Sequence, residues 1–177
     1  MSMTVQTPGL KGADGADAAG GGGIEAVMLN CLARSASTIP GNQAHNGTHR
    51  VKYSTPTVGG TPSWFALSPD GLTITLSEDG IYDLSHNTYI QATAGGRSSV
   101  SARFTLGGVL QPVRPATGYI RSANSHDESS THIASFLVQR DGADLVLTVP
   151  LGNESSTTAT NASMAAGEST LTIKKLT

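Results

Sequence analysis

In the segment LTITLS at 72–77 every second side chain is a large aliphatic. In an extended chain Leu72, Ile74 and Leu76 therefore share one face, and Thr73, Thr75 and Ser77 share the other. The same period of two recurs in SARFTL (101–106), LVLTV (145–149) and LTIKKL (171–176), where Leu171 and Ile173 point inward. Turn signals separate these segments: Asn46-Gly47, Asp70-Gly71, Asp79-Gly80, Gly95-Gly96, Gly107-Gly108 and Asp141-Gly142. Glycine, and to a lesser degree Asn or Asp, tolerates the positive φ that tight hairpins require. Helical periodicity is poor by comparison, and the apolar stretch at 24–32 reads as an opening strand. About ten short strands with glycine turns between them predict an all-β sandwich or jelly roll over 24–177.

The chain changes character near Ile24. Residues 1–23 hold few large apolar side chains and are rich in glycine, which predicts a flexible arm ahead of a compact head. Gly9, Gly12 and Gly15 follow a Gly-x-y spacing that fails at Ala18. Three triplets without an internal proline cannot hold a triple helix, so this stretch reads as a linker and the glycine run at 20–23 as a swivel. Met3, Val5 and Leu10 are spaced along the arm, where they can be buried only against another protein. They are the candidate partner-binding residues.

Composition excludes several classes of function. Lys plus Arg number 11 against 13 Asp plus Glu, a net charge of -2, and no block of like charge occurs. Long-range attraction to nucleic acid or to anionic lipid is therefore not expected. No run approaches the ~20 apolar residues that span a bilayer, and no secretory signal is seen, so a soluble chain made in a cytoplasm is expected. The single cysteine, Cys31, lies in the apolar run AVMLNCLA and reads as a buried thiol.

Chemical motifs are weak. His126, Asp127, Glu128 and His132 have the residue types of a metal site, but a polar loop needs no metal to be soluble, and no metal or cofactor is expected. Nothing like Gly-x-Ser-x-Gly sets up a nucleophile, and no enzyme is expected. The polar stretches at 121–132 and 152–162 read as long loops of the kind that carry binding surfaces on sandwiches. Trp64 and Phe65 form the one bulky aromatic pair, either a plug at the end of the core or an anchor at a subunit or partner contact.

The order of segments resembles the C1q/tumour-necrosis-factor-like jelly roll, in the versions found in phage and bacterial structural proteins. LTITLSEDGIYDLS (72–85) is similar to that family's strand, Asp-Gly, x-Tyr, strand signature, with Gly80 and Tyr82 at its glycine and aromatic. ASFLVQRDGADLVLTV (134–149) resembles its hairpin of two apolar strands, and ESTLTIKKL (168–176) its closing strand beside the first. The resemblance implies a homotrimer with the strand that carries Leu171 and Ile173 near a threefold axis, and with three N-termini at one end.

Arm and head together lead to the expectation of a virion structural protein. In this reading a trimeric capsid decoration or head-fibre protein is fastened through its arm to the major capsid protein or another virion protein. The alternative is a tail-fibre tip or receptor-binding head that recognises a glycan or a cell-surface protein. A short arm without a heptad repeat favours the first.

Overall fold

The computed structural model describes residues 24–34, 39, 43–92, 97–117, 120, 121, 128–154, 162–164 and 167–176; the arm expected over 1–23 lies outside them. The first strands are β1 (Glu25–Arg34), β2 (Val51–Tyr53), β3 (Phe65–Leu67), β4 (Ile74–Leu76) and β5 (Gly80–Ala92). Short pieces follow: β6 (Arg97–Ser98), β7 (Val100–Ala102), β8 (Thr105–Leu106), β9 (Val109–Leu110), β10 (Ala116–Thr117) and β11 (Ile120–Arg121). The chain continues through β12 (Glu128–Arg140), β13 (Leu145–Thr148), β14 (Leu151–Asn153), β15 (Ala162–Ser163) and β16 (Thr170–Lys175). Among the described residues there is no helix.

Two antiparallel sheets carry the head. One has seven strands in the order β10-β12-β5-β16-β1-β2, with β15 also on β5, and the other has five in the order β3-β4-β13-β8-β9. The closing strand lies between β1 and β5, with Val27 opposite Ile173 and Ile173 opposite Leu84. Period-two patterning turns one face of each sheet to a shared core. Val27, Leu29, Tyr82, Leu84, Ile90, Leu171 and Ile173 come from the larger sheet, and Phe65, Ile74, Leu76 and Leu147 from the smaller. Burial of each such side chain contributes roughly 1.5–3 kcal/mol.

Aromatic rings fill the space between the sheets. Trp64 is tilted against Tyr82 at 5.5 Å and meets Phe65 edge-on at 6.1 Å, while Phe104 stacks on Phe136 at 5.8 Å. The indole N–H of Trp64 donates to the Glu25 carboxylate, and the Tyr82 hydroxyl donates to the Glu78 carbonyl at 2.6 Å, so both buried rings keep their polar ends satisfied. Cys31 is fully buried, and desolvation pushes its thiol up to about 12.

Two Asp-Gly turns are locked to each other. The buried Arg140 donates to Asp79 Oδ1 at 2.5 Å, to the Gly142 carbonyl at 3.0 Å and to Asp144 Oδ1 at 3.2 Å, and the Gly142 amide donates to the same Asp79 oxygen at 2.7 Å. The 78–80 turn before β5 and the 141–144 turn after β12 thus form one polar clamp at one end of the long hairpin pair. The expected polar loop at 121–132 is only partly a loop, because residues 128–132 are already the first part of β12, paired with β5 from Glu128 opposite Gln91 onward. Similarly, Leu151–Asn153 and Ala162–Ser163 are strands at the two ends of the stretch expected as a second loop.

Candidate subunit interface

Among the described residues, the side chains on the second face of the seven-stranded sheet are half-buried or exposed. Strand β5 buries Tyr82, Leu84, His86, Thr88 and Ile90, so Ile81, Asp83, Ser85, Asn87, Tyr89 and Gln91 point the other way. Register assembles the outward residues into rows. Asn30, Thr170, Asn87 and His132 form one, and Met28, Thr172 and Ser85 form the next. Ala26, Lys174, Asp83 and Leu137 form a third. Beyond that row, the Leu176 amide donates to the Ile81 carbonyl at 2.8 Å, which continues the ladder between β16 and β5 past Lys175.

This face is polar at one end and apolar at the other. Ile24 is 66% exposed, Leu137 59% and Ile81 38%; Leu137 stands opposite Asp83, two residues after Ile81, so these two share one surface, and Ile24 immediately precedes β1. A β-bulge between Ile133 and Phe136 adds a residue to β12 and shifts its alternation, which is why Ala134 and Ser135 are both exposed and Leu137 faces out. The Ser135 hydroxyl donates to Asp83 Oδ1 at 2.5 Å, bridging the bulge to β5. Large aliphatic side chains on an otherwise wet face lose exposed area only by meeting another surface.

The sequence-derived candidates fall elsewhere. Leu171 and Ile173 are fully buried in the core of their own chain, so on β16 the side chains able to reach a second subunit are those of Thr170, Thr172 and Lys174. Trp64 and Phe65 are 1% and 3% exposed and belong to the core, which leaves no surface on them for an anchor. Met3, Val5 and Leu10 lie outside the described residues, as do His126 and Asp127; Glu128 and His132 are exposed on β12. Sequence reasoning passed over Ile81 and Leu137. For Ile81 a signal was present: in GIYDLSHNTYIQA it is out of phase with Tyr82, Leu84 and Ile90.

Among solved structures the chain is similar to murine APRIL, crystallised at pH 8.0, with a TM-score of 0.52 and 14% identity over 87% of this chain and 100% of that one. The fold is the tumour-necrosis-factor-like jelly roll. A weaker likeness is to Eiger, a TNF from S. frugiperda, with a TM-score of 0.44 and 12% identity over 86% of this chain and 94% of that one. No family model matches the chain, and no curated protein matches it. At such identity the likeness extends to the fold and leaves the chemistry to be read from this chain's own residues.

Proposed function

We propose that the protein is a homotrimeric virion structural protein, a capsid decoration or head-fibre protein that attaches through its N-terminal arm and projects the jelly-roll head. The observation that carries the reading is the second face of the seven-stranded sheet, where the aliphatic side chains of Ile81 and Leu137 are exposed among the described residues. Three copies packed through this face would bury Ile24, Ile81 and Leu137 around one axis and bring three arms together. Each arm contact with a capsid protein can then be weak, because a second and third arm bind at high effective concentration.

Light scattering on the purified chain tests the assembly and should return three times 18.1 kDa. A stable monomer at micromolar concentration would remove the trimer. Deletion of residues 2–23 tests attachment: the head should stay folded and trimeric and should be lost from purified particles. If the shortened chain still decorates particles at undiminished occupancy, attachment runs through the head and the role given to the arm is wrong.

A further inference from the structure

The chain contains a single Asn-Gly pair, Asn46-Gly47, and it lies in a loop whose two ends are fixed. The Asn153 amide donates to the Gln43 carbonyl at 2.7 Å and the Leu151 amide to the His49 carbonyl at 2.8 Å, so residues 44–48 bulge from a ladder beside β14. His45 fastens the loop from within. Its Nε2 lies 3.1 Å from Ser101 Oγ and 3.2 Å from the Ser101 carbonyl oxygen, with Glu154 Oε1 at 3.6 Å. The ring packs on Gly152, where a Cβ would come within 2.9 Å of His45 Cγ. Asn46 is exposed and Gly47 half-buried, and both line a surface cleft of about 470 Å³.

Within this loop the Asn46 side chain is held by its carbonyl oxygen alone. Oδ1 accepts from the Thr48 amide at 3.1 Å, an Asx-turn, and from Gln43 Nε2 at 2.9 Å. A second bond from Gln43 Nε2 to the Ala44 carbonyl, also 2.9 Å, orients that donor. Among the described residues neither Asn46 Nδ2 nor the Gly47 amide has a hydrogen-bond partner. Gly47, at a φ of 84°, sets no Cβ beside its amide nitrogen. These are the parts of an intramolecular acyl transfer: a carbonyl polarised by two donors, an adjacent nitrogen free to react, and a leaving amine that nothing retains.

We propose that Asn46 is a modification site, at which the side-chain amide is lost by cyclisation onto the Gly47 nitrogen. Solvent base removes the Gly47 amide proton and the nitrogen bonds to Asn46 Cγ. The Cγ–Nδ2 bond then breaks, and ammonia leaves with a proton taken from water. Negative charge that develops on Oδ1 during the attack is met by the Thr48 and Gln43 donors already in place. Water opens the resulting cyclic imide. Cleavage between Gly47 N and Asn46 Cγ gives aspartate, and cleavage between Gly47 N and the Asn46 main-chain carbonyl carbon gives isoaspartate, with one more carbon in the backbone. The sum is the hydrolysis of one amide to a carboxylate and ammonia, without oxidant or reductant. The new charge stands at the cleft rim next to His45, and the added carbon falls between the two fixed ends of the loop.

The test incubates the full-length protein in mildly alkaline buffer, folded and in parallel unfolded in urea, and follows Asn46 by peptide mass spectrometry and by an isoaspartyl methyltransferase assay. The folded chain should lose the Asn46 amide at least as fast as the unfolded one and yield both aspartate and isoaspartate, while Asn87 and Asn153, held in β5 and β14, keep theirs. Gln43→Glu preserves the shape of the side chain but removes its donor, and should slow the loss by about tenfold, a modest share of what an enclosed oxyanion donor supplies. Gly47→Ala, whose Cβ meets nothing within 4 Å, should slow it by about tenfold as well, since a left-handed φ is unfavourable for alanine and the nitrogen shifts off the carbonyl. An Asn46 amide that outlasts that of the unfolded chain would overturn the proposal. So would aspartate as the sole product, which marks direct hydrolysis without the cyclic imide, loss at Asn87 or Asn153 as fast as at Asn46, or a rate unchanged in Gln43→Glu and Gly47→Ala. None of these readouts depends on a particle or on the arm, so their failure leaves the virion reading standing and their success does not require it.

Discussion

Tyr53 and His86 meet in the core with the phenol oxygen 2.8 Å from the imidazole Nε2, while the Thr88 hydroxyl lies 2.6 Å from Nδ1. Tyr53 and Phe104 also approach the imidazole edge-on, at 6.1 and 6.3 Å. A neutral ring offers one donor and one acceptor, and two hydroxyls can satisfy both. Burial, with a smaller contribution from the charge of His132, lowers the His86 pKa to about 3.

Acid should therefore unfold the protein earlier than its carboxylates alone would. Between the ordinary histidine pKa near 6.5 and the folded value near 3, the unfolded chain binds the extra proton, so stability is complete above that window and falls as pH falls through it. The loss from pH 7 to pH 5 is about 2 kcal/mol for one such group. His45, also lowered by burial, acts in the same direction, whereas Asp70 and Glu78 are held below their ordinary carboxylate values and titrate further down. Urea unfolding at the two pH values checks this, and His86→Gln should flatten the slope. Equal stability at pH 7 and pH 5 would contradict it.

Gly59 and Gly60 should respond very differently to the same substitution. Both have positive φ, 86° and 65°, which costs an L-residue about 1–2 kcal/mol. A Cβ on Gly60 meets nothing within 4 Å, whereas one on Gly59 would lie 1.8 Å from the Ala26 carbonyl oxygen, on the strand that the neighbouring Val58 bridges. Gly60→Ala should lower stability by the conformational term alone. Gly59→Ala must also displace 58–60 from β1 and should cost several kcal/mol, at the upper end for a point substitution. Thermal melts of the two variants would expose an error if they were indistinguishable.

Replacement of Ile81 and Leu137 by lysine should separate folding from assembly. Both side chains are exposed in the single chain, so the double variant should fold with stability changed by about 0.5 kcal/mol per site or less. In a trimer packed through this face the same lysines would be buried together without partners, and the assembly should fall to monomer at micromolar concentration. A double variant that still scatters as a trimer would place the subunit contacts elsewhere.

The edge-to-core pattern was legible because it is local. Alternation alone marks Ile74, Leu76, Leu147, Leu171 and Ile173 as core-facing, and all five are buried. The Asp-Gly turn after β12 likewise follows from chemistry confined to a few neighbouring residues, and the pairing of β1 with β16 was expected from the family resemblance. Where polar residues dominate, the same reasoning fails. The stretch read as a loop through residue 132 enters β12 at Glu128 because its backbone pairs with β5, and Thr131 and Ile133 turn inward between polar neighbours.

The sequence by itself determined which side chains share a strand face, where the chain can turn and that the fold is all-β, since each depends on a period of two or on the torsions of single residues. Only the tertiary structure decided how the faces of the two sheets meet in one core, that Trp64, Phe65 and His86 are enclosed there, and that Thr105 and Thr148 stand side by side across 43 residues of chain. Those facts depend on strand register and sheet order, in which the pairing of distant backbone groups brings together residues with no local signal of one another.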